Sequence, residues 1–310
     1  PARCGVIYAT GVGGLQTFEE QVLVHDRKGE RRVSPFMVPM IMPNAPGAAI
    51  SMRFGLQGPN ETITTACAAS THAIGYATRL IQMGYADVVV SGGTESVMSP
   101  VGMAGFQNMT ALSSSGQSKP FDKDRDGFMM TEGSATLVLE EMSSAQSRGA
   151  NIYGEVLGSG STADAHHITA PAPGGDGALR CMQLAIEDSG LASTDIASVN
   201  AHGTSTPLND AAEAEALSKL FGEDGPPVTS TKGVTGHALG AAGAIEATAV
   251  LLSFLHKQIP PTAGFVSQDP EMAGFNIVTG SGLEWEPGPS MSNSFGFGGH
   301  NGSIVLAPVN

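Results

Sequence analysis

The run Gly240-Ala241-Ala242-Gly243-Ala244 restricts the fold of this chain more than any other stretch. It lies in a segment, 238–255, of small and apolar residues that predicts a helix. Each glycine costs such a helix about 0.5–1 kcal/mol relative to alanine unless close packing compensates. The helix is therefore expected to be sandwiched inside the fold, with neighbouring backbone close to it. Glycine supplies 41 of the 310 residues, without a three-residue period and beside 41% hydrophobic residues, which excludes collagen and low-complexity disorder.

Around that helix the chain repeats a strand, a glycine-rich loop and a helix. Residues 4–10 read as a strand closing at Gly11, Gly13 and Gly14. A short strand over 63–65 feeds a helix over 66–83, with Cys67, Ile74 and Ile81 at seven-residue spacing on one face and Gly84 at its end. Further strands are expected over 88–90, 135–139, 196–201, 228–231, 291–294 and 302–307, and further helices over 178–188 and 211–221. This is an α/β pattern with parallel strands. Two sheets with helices between and around them fit it better than one open sheet.

Charge is scarce. Fifteen Lys and Arg against 29 Asp and Glu give a net charge of −14, and only 14% of residues are charged where about a quarter is usual. A surface so poor in charge predicts burial against a second subunit, and a pI near 4.8 argues against nucleic acid. Residues 33–52 carry no charge at all, but Pro35, Pro39, Pro43 and Pro46 break the helix a bilayer requires. That segment is expected to be buried and irregular or partly helical, with no membrane insertion. No basic-then-apolar start is visible, and Cys4, Cys67 and Cys181 are odd in number and far apart, so free thiols in a reducing cytoplasm are expected.

Reactive residues gather at four strand ends. Cys67, in Thr64-Thr65-Ala66-Cys67-Ala68-Ala69-Ser70, stands at a helix N-terminus, where unpaired N–H groups and the helix dipole favour a thiolate and a developing oxyanion. From position alone a small buried core residue, which is what most free cysteines are, is the commoner reading. His202 follows a strand in Asn200-Ala201-His202-Gly203-Thr204-Ser205-Thr206-Pro207. Lys232 and His237 lie five apart in Thr231-Lys232-Gly233-Val234-Thr235-Gly236-His237. The fourth cluster, Asn293-Ser294-Phe295-Gly296-Phe297-Gly298-Gly299-His300-Asn301, lets backbone approach a ligand and offers two phenylalanines as an apolar gate. A Cys, His, His and Lys set suits thiol acyl chemistry. His25, His72, His256 and the pair His166-His167 lack metal spacing, and no phosphate loop is present.

Those four motifs, in that order and over essentially the whole chain, resemble the β-ketoacyl-acyl-carrier-protein synthases of the elongating, Cys-His-His branch. Gly92-Gly93-Thr94-Glu95 and the run from Pro120 to Phe128 add to the resemblance. The branch rests on His237, where initiating synthases carry asparagine. The resemblance implies a thiolase-like, five-layered αβαβα fold of two similar halves, 1–149 with the cysteine and 150–310 with the histidines and lysine, working as a homodimer. It implies a decarboxylating condensation of an acyl chain on Cys67 with malonyl-carrier protein, in fatty-acid elongation. Cys67, His202, His237 and Lys232 would be catalytic, and the N–H groups of Cys67 and Phe297 would form the oxyanion hole. Thr204, Thr206, Phe295 and Phe297 would meet the phosphopantetheine arm, which arrives on the carrier, so no other cofactor is required. Asp210 and Glu213 would support the site, although Asp210 with Glu213 three residues later equally fits a helix cap. Asn200 and Glu246 would belong to a structural site for a monovalent cation.

Relatives carry a further segment before the point that matches Pro1, so an N-terminal part is expected to be missing. The loop between Leu112 and Pro120 is expected to be short, and Thr131 stands where the family has glycine. An acidic carrier and a −14 chain repel one another at long range, which directs attention to Arg31 and Arg32 as a local docking point near the tunnel mouth. Two alternatives stay open: a ketosynthase subunit of a type II polyketide pathway, and a non-elongating fragment that only binds carrier protein or subunit.

Overall fold

The computed structural model describes residues 1–309. Its first half contains β1 (Cys4–Ala9), α1 (Leu15–Lys28), α2 (Met37–Ile41), α3 (Ala45–Phe54), β2 (Asn60–Ile63), α4 (Ala69–Gln82), β3 (Val88–Glu95), α5 (Pro100–Asn108), β4 (Gly133–Glu140) and α6 (Met142–Ser147). The second contains β5 (Glu155–Ala163), α7 (Asp176–Ser189), β6 (Ser198–Asn200), α8 (Pro207–Phe221), β7 (Val228–Thr229), α9 (Lys232–Thr235), α10 (Ala242–His256), β8 (Gln258–Ile259), β9 (Leu283–Glu284), β10 (Ser290–Gly296) and β11 (His300–Ala307).

The strand orders are β2-β1-β3-β4 and β5-β11-β10-β6-β7, with β8 and β9 forming a separate ribbon. In the first sheet β2, β1 and β3 are parallel and β4 runs antiparallel to β3. The second repeats this, with β7, β6 and β10 parallel and β11 antiparallel to β10. Helices α4 and α10 pack on each other and each touches both sheets, while α3 covers the first sheet and α7 with α8 the second. The layers are therefore αβαβα.

The small-residue helix lies in the central layer, as its composition requires. Ala242, Gly243, Ala244, Ala247 and Val250 of α10 are buried. Leu239–His256 is long and apolar enough to cross a membrane, at 18 residues and mean hydropathy 1.5, but 61% of it is buried inside the protein as the core of this sandwich. Glu95 fastens one end of the layer. Its carboxylate accepts from Thr10 Oγ1 and Gly11 N, both at 2.7 Å, and from Gly240 N at 2.9 Å, joining the ends of β1 and β3 to the turn before α10.

The uncharged segment 33–52 is partly helical, in α2 and α3, but it is not buried. Phe36 is 67% exposed, Val38 59%, Met40 56% and Met52 78%. Lack of charge alone does not bury a segment: no element among the described residues covers these side chains.

Candidate active site

The Cys67 turn is built by backbone. Ala66 sits in the left-handed region at φ 49, and a single 3-10 turn, Ala66–Ala68, precedes α4. Cys67 is thus two residues ahead of the α-helix proper and points into a buried space, with Sγ 3.1 Å from His237 Nε2. Gly296 of β10 passes directly over this turn: a Cβ there would lie 3.0 Å from both Cys67 N and Thr65 O. A side chain at 296 would press on this turn, and glycine leaves room for the following residue, Phe297, to bring its N–H to the sulfur. Burial pushes the Cys67 thiol up to about 12, opposed by the charge of Lys232 and the Phe297 N–H.

His237 follows α9 and a glycine at φ 64, and its backbone is clamped on both sides. Its N–H donates to Met129 O at 2.8 Å, and its carbonyl accepts from Thr131 N at 3.1 Å. Thr131 also donates from Oγ1 to Thr235 O at 3.0 Å, a bond that glycine could not make. Nδ1 of His237 is buried without a protein partner.

His202 follows β6, with its ring edge-on to that of His237 at 5.3 Å between centroids. Lys232 Nζ lies 3.3 Å from His202 Nδ1 and forms an ion pair with Glu246 Oε1, all three side chains being buried. An ammonium only donates, so Nδ1 accepts and the His202 proton resides on Nε2. Burial, and then the Lys232 charge, hold both imidazoles well below their ordinary range, so both are neutral. Burial also raises the Glu246 carboxyl to about 7 against the pull of Lys232.

Asp210 and Glu213 do not cap a helix. α8 already begins at Pro207, and Glu213 accepts from the backbone N–H of His202 at 2.8 Å and Gly203 at 2.7 Å. Asp210 accepts from Phe121 N at 2.8 Å and from Ser205 N. Both carboxylates therefore hold the loop that carries His202, Thr204 and Thr206.

One cavity of about 550 Å³ collects Cys67, His202, His237, Thr204, Thr206, Phe295 and Phe297. The two threonine hydroxyls are 2.9 Å apart. Arg31 and Arg32 are not brought there: both are exposed on the turn after α1, and neither lines the cavity. Further lining residues lie outside the sequence motifs, among them Phe106 on α5, Met109 just after it, and Asp164; Asp126 and Asn301, which stand within motifs, line the cavity too. Phe128, which stacks edge-on against His237 at 5.0 Å, lay in a run noted only for family likeness. The loop after Leu112 folds onto Asp126, whose carboxylate accepts from Ser113, Ser114 and Ser115.

The ligand atoms of Cys67, His202 and His237 lie within 4.8 Å of one another, close enough to surround a metal ion. The Lys232 ammonium touching His202 makes that position hostile to a cation. Asn200 has no partner for either amide atom, and Ser292 Oγ and Glu246 Oε2 also lack partners. Asn200 and Ser292 are paired across β6 and β10, and their side-chain oxygens, like the Glu246 carboxylate, are hard donors of the kind an alkali ion takes.

Comparison with known proteins identifies the group. Residues 1–145 match the N-terminal domain of beta-ketoacyl synthase and residues 153–266 its C-terminal domain. A 3-oxoacyl-[acyl-carrier-protein] synthase 2 from Synechocystis is 46% identical over 309 residues, spanning 97% of this chain and 74% of the relative. The ishigamide ketosynthase/chain length factor superposes with a TM-score of 0.94 at 32% identity, over 100% of this chain and 76% of the other. A type II polyketide acyl-carrier protein in complex with its ketosynthase gives a TM-score of 0.94 at 30% identity, over 99% and 78%. The chain belongs to the β-ketoacyl synthase family.

Proposed function

We propose that Cys67 is the acyl-accepting nucleophile of a 3-oxoacyl-carrier-protein synthase that elongates fatty acids by decarboxylating condensation. The observation that carries this reading is the buried contact between Cys67 Sγ and His237 Nε2, with Phe297 N–H on the same sulfur. In the first half-reaction Sγ attacks the acyl thioester, and its proton passes by way of His237 Nε2 to the departing pantetheine sulfur, so one thioester replaces another. The N–H groups of Cys67 and Phe297 receive the oxyanion. In the second, His202 and His237 donate to the malonyl thioester oxygen while the carboxylate leaves as CO₂. The resulting enolate carbon attacks the acyl-Cys67 carbonyl, and the Cys67 thiolate is expelled and takes up the proton that the reaction consumes.

The two histidines differ in a way that suits two steps. Lys232 fixes the proton of His202 on the cavity side, as a donor requires. Nothing fixes the far nitrogen of His237, so its Nε2 can accept in the first step and donate in the second. Thr204 and Thr206 are inferred to bind the pantetheine arm, and Phe295 and Phe297 to gate it. Asn200, Ser292 and Glu246 would hold an alkali ion, which when bound would satisfy their unpartnered oxygens and stiffen the strands behind His202.

Acyl-carrier protein is the partner, in acyl and malonyl forms, and Arg31 and Arg32 are inferred to meet it. The exposed apolar surface of α2 and α3 supports a homodimer. A mechanism that needs Cys67 as a thiol, with Cys4 and Cys181 also unpaired, suits a reducing cytoplasm. The polyketide reading is weaker, since identity is 46% to the synthase against 30–32% to the polyketide proteins.

Incubation with acyl-carrier protein tests the proposal by intact mass. An acyl adduct on Cys67, absent in Cys67→Ala, is expected, followed by release of a fatty-length 3-oxoacyl product on adding malonyl-carrier protein. An unmodified wild-type chain overturns the nucleophile, and products lengthened without β-carbon processing point to polyketide work.

A further inference from the structure

His72 takes no part in the chemistry above, yet it bonds to both structures that make the oxyanion hole. It is the fourth residue of α4, with Nδ1 2.8 Å from Thr65 Oγ1 and Nε2 3.0 Å from the backbone carbonyl of Asn301. A carbonyl only accepts, so Nε2 carries the proton, and the Thr65 hydroxyl donates to Nδ1. Burial lowers the pKa of the ring against the Asn301 bond, which agrees with this neutral tautomer. Space for the ring comes from Gly302, where a Cβ would stand 3.0 Å from Nε2.

Each partner is itself a junction. Thr65 immediately precedes Ala66, the residue whose left-handed backbone aims Cys67. Asn301 is the second residue of β11, the strand after the Phe297 turn, and its Nδ2 donates to Asp164 Oδ1 at 2.7 Å. Asp164 returns to the same turn through its own N–H, which donates to Gly299 O at 2.9 Å, and its Oδ2 accepts from Ala172 N at 2.9 Å. Asp164, Phe297, Gly299 and Asn301 all line the cavity.

We infer that His72 is a positioning residue, which locks the Phe297 turn against the Cys67 turn and so sets the two oxyanion donors at the spacing acyl transfer needs. The inference rests on the reading of Cys67 as nucleophile. Its effect is confined to steps that form an oxyanion. Direct alkylation of the sulfur by iodoacetamide forms none, so it feels the spacing only through the Phe297 N–H on the sulfur, and far less than acyl transfer does.

The test measures two rates on the full chain for the wild type, His72→Leu and His72→Gln: single-turnover acyl transfer from acyl-carrier protein to Cys67, and iodoacetamide alkylation of Cys67. His72→Leu removes both bonds, and acyl transfer is expected to fall about 10- to 100-fold with carrier KM and alkylation within twofold of wild type. Glutamine supplies an acceptor oxygen and a donor nitrogen on a side chain of similar reach, so His72→Gln is expected to recover at least about tenfold of that loss. Thr65→Val, which removes one bond and leaves the ring in place, provides an intermediate effect should His72→Leu fail to fold. Equal losses in acyl transfer and alkylation would show a collapsed nucleophile turn, and wild-type acyl transfer in His72→Leu would show no coupling; either overturns the inference. Failure of the nucleophile reading looks different, because the wild type itself then gains no acyl group.

Discussion

Lys232 donates to His202 and pairs with Glu246 in a volume from which water is excluded, so its replacement by methionine strands a buried carboxylate. Breaking such a pair costs about 3–5 kcal/mol, whereas removing both charges costs far less. Lys232→Met is therefore expected to lower the denaturation midpoint steeply, and Lys232→Met with Glu246→Gln to regain most of it. Condensation should not return with stability, because the double variant still lacks the donor that keeps the His202 proton facing the cavity. A double variant that recovers both would remove the tautomer argument. The thiol yields a second residue-level expectation. With the Cys67 thiol raised to about 12, the neutral form rests at every physiological pH, so iodoacetamide alkylation should climb from pH 6 to 9 without levelling. A plateau near pH 7 would mean that the thiolate is stabilised far more than burial allows. Cys67, His202 and His237 were legible because each stands in a motif at a strand end. What Lys232 does was not, since its partners lie 30 and 14 residues away and the position of a proton depends on contact.

At the scale of elements, glycine in α10 answers to neighbours rather than to helix propensity. A Cβ at Gly243 would collide with Thr71 Oγ1 and stand 2.9 Å from Thr71 N, both on α4, and 3.1 Å from Ser294 Oγ on β10. Gly243→Ala gains about 1 kcal/mol of intrinsic propensity and loses about 1–3 kcal/mol through overpacking, so a net lowering of the melting temperature is expected. A raised melting temperature would show that the central layer has room to spare. The sandwiched helix could be read from composition for this same reason: only close backbone makes so many small residues worthwhile. β5 could not. Its sequence, Glu-Val-Leu-Gly-Ser-Gly-Ser-Thr-Ala, has no apolar run, yet it pairs along β11 and its glycines let α7 approach, since a Cβ added at Gly158 would fall 2.6 Å from Ala185 O. The strand is therefore specified by what packs on it. The sheets repeat one topology, but β5 has no counterpart beside β4 among the described residues.

For the whole molecule, the scarcity of charge and the exposed face of α2 and α3 describe one surface. Phe36, Val38, Met40, Met52 and Phe54 are each more than half exposed, in a segment that contains no charge until Arg53. Scattered apolar residues are ordinary on a surface, but this many in consecutive short helices form a patch that association would cover. Burial of each large side chain stabilises association by about 1.5–3 kcal/mol, and every 1.4 kcal/mol is about tenfold in the dissociation constant. Replacing Phe36 and Met40 by glutamate removes two such contributions and desolvates two carboxylates against whatever remains, so the dimer should weaken by at least about a hundredfold. Light scattering at micromolar concentration is expected to give twice the chain mass for the wild type and the chain mass for the double variant, with helical content preserved by circular dichroism. Unchanged mass in the variant would place the second copy elsewhere and leave this face to the carrier protein. In that event charge reversal at Arg31 and Arg32, one turn ahead of the patch, should raise KM for the carrier most at low salt, because exposed charges are screened as salt rises.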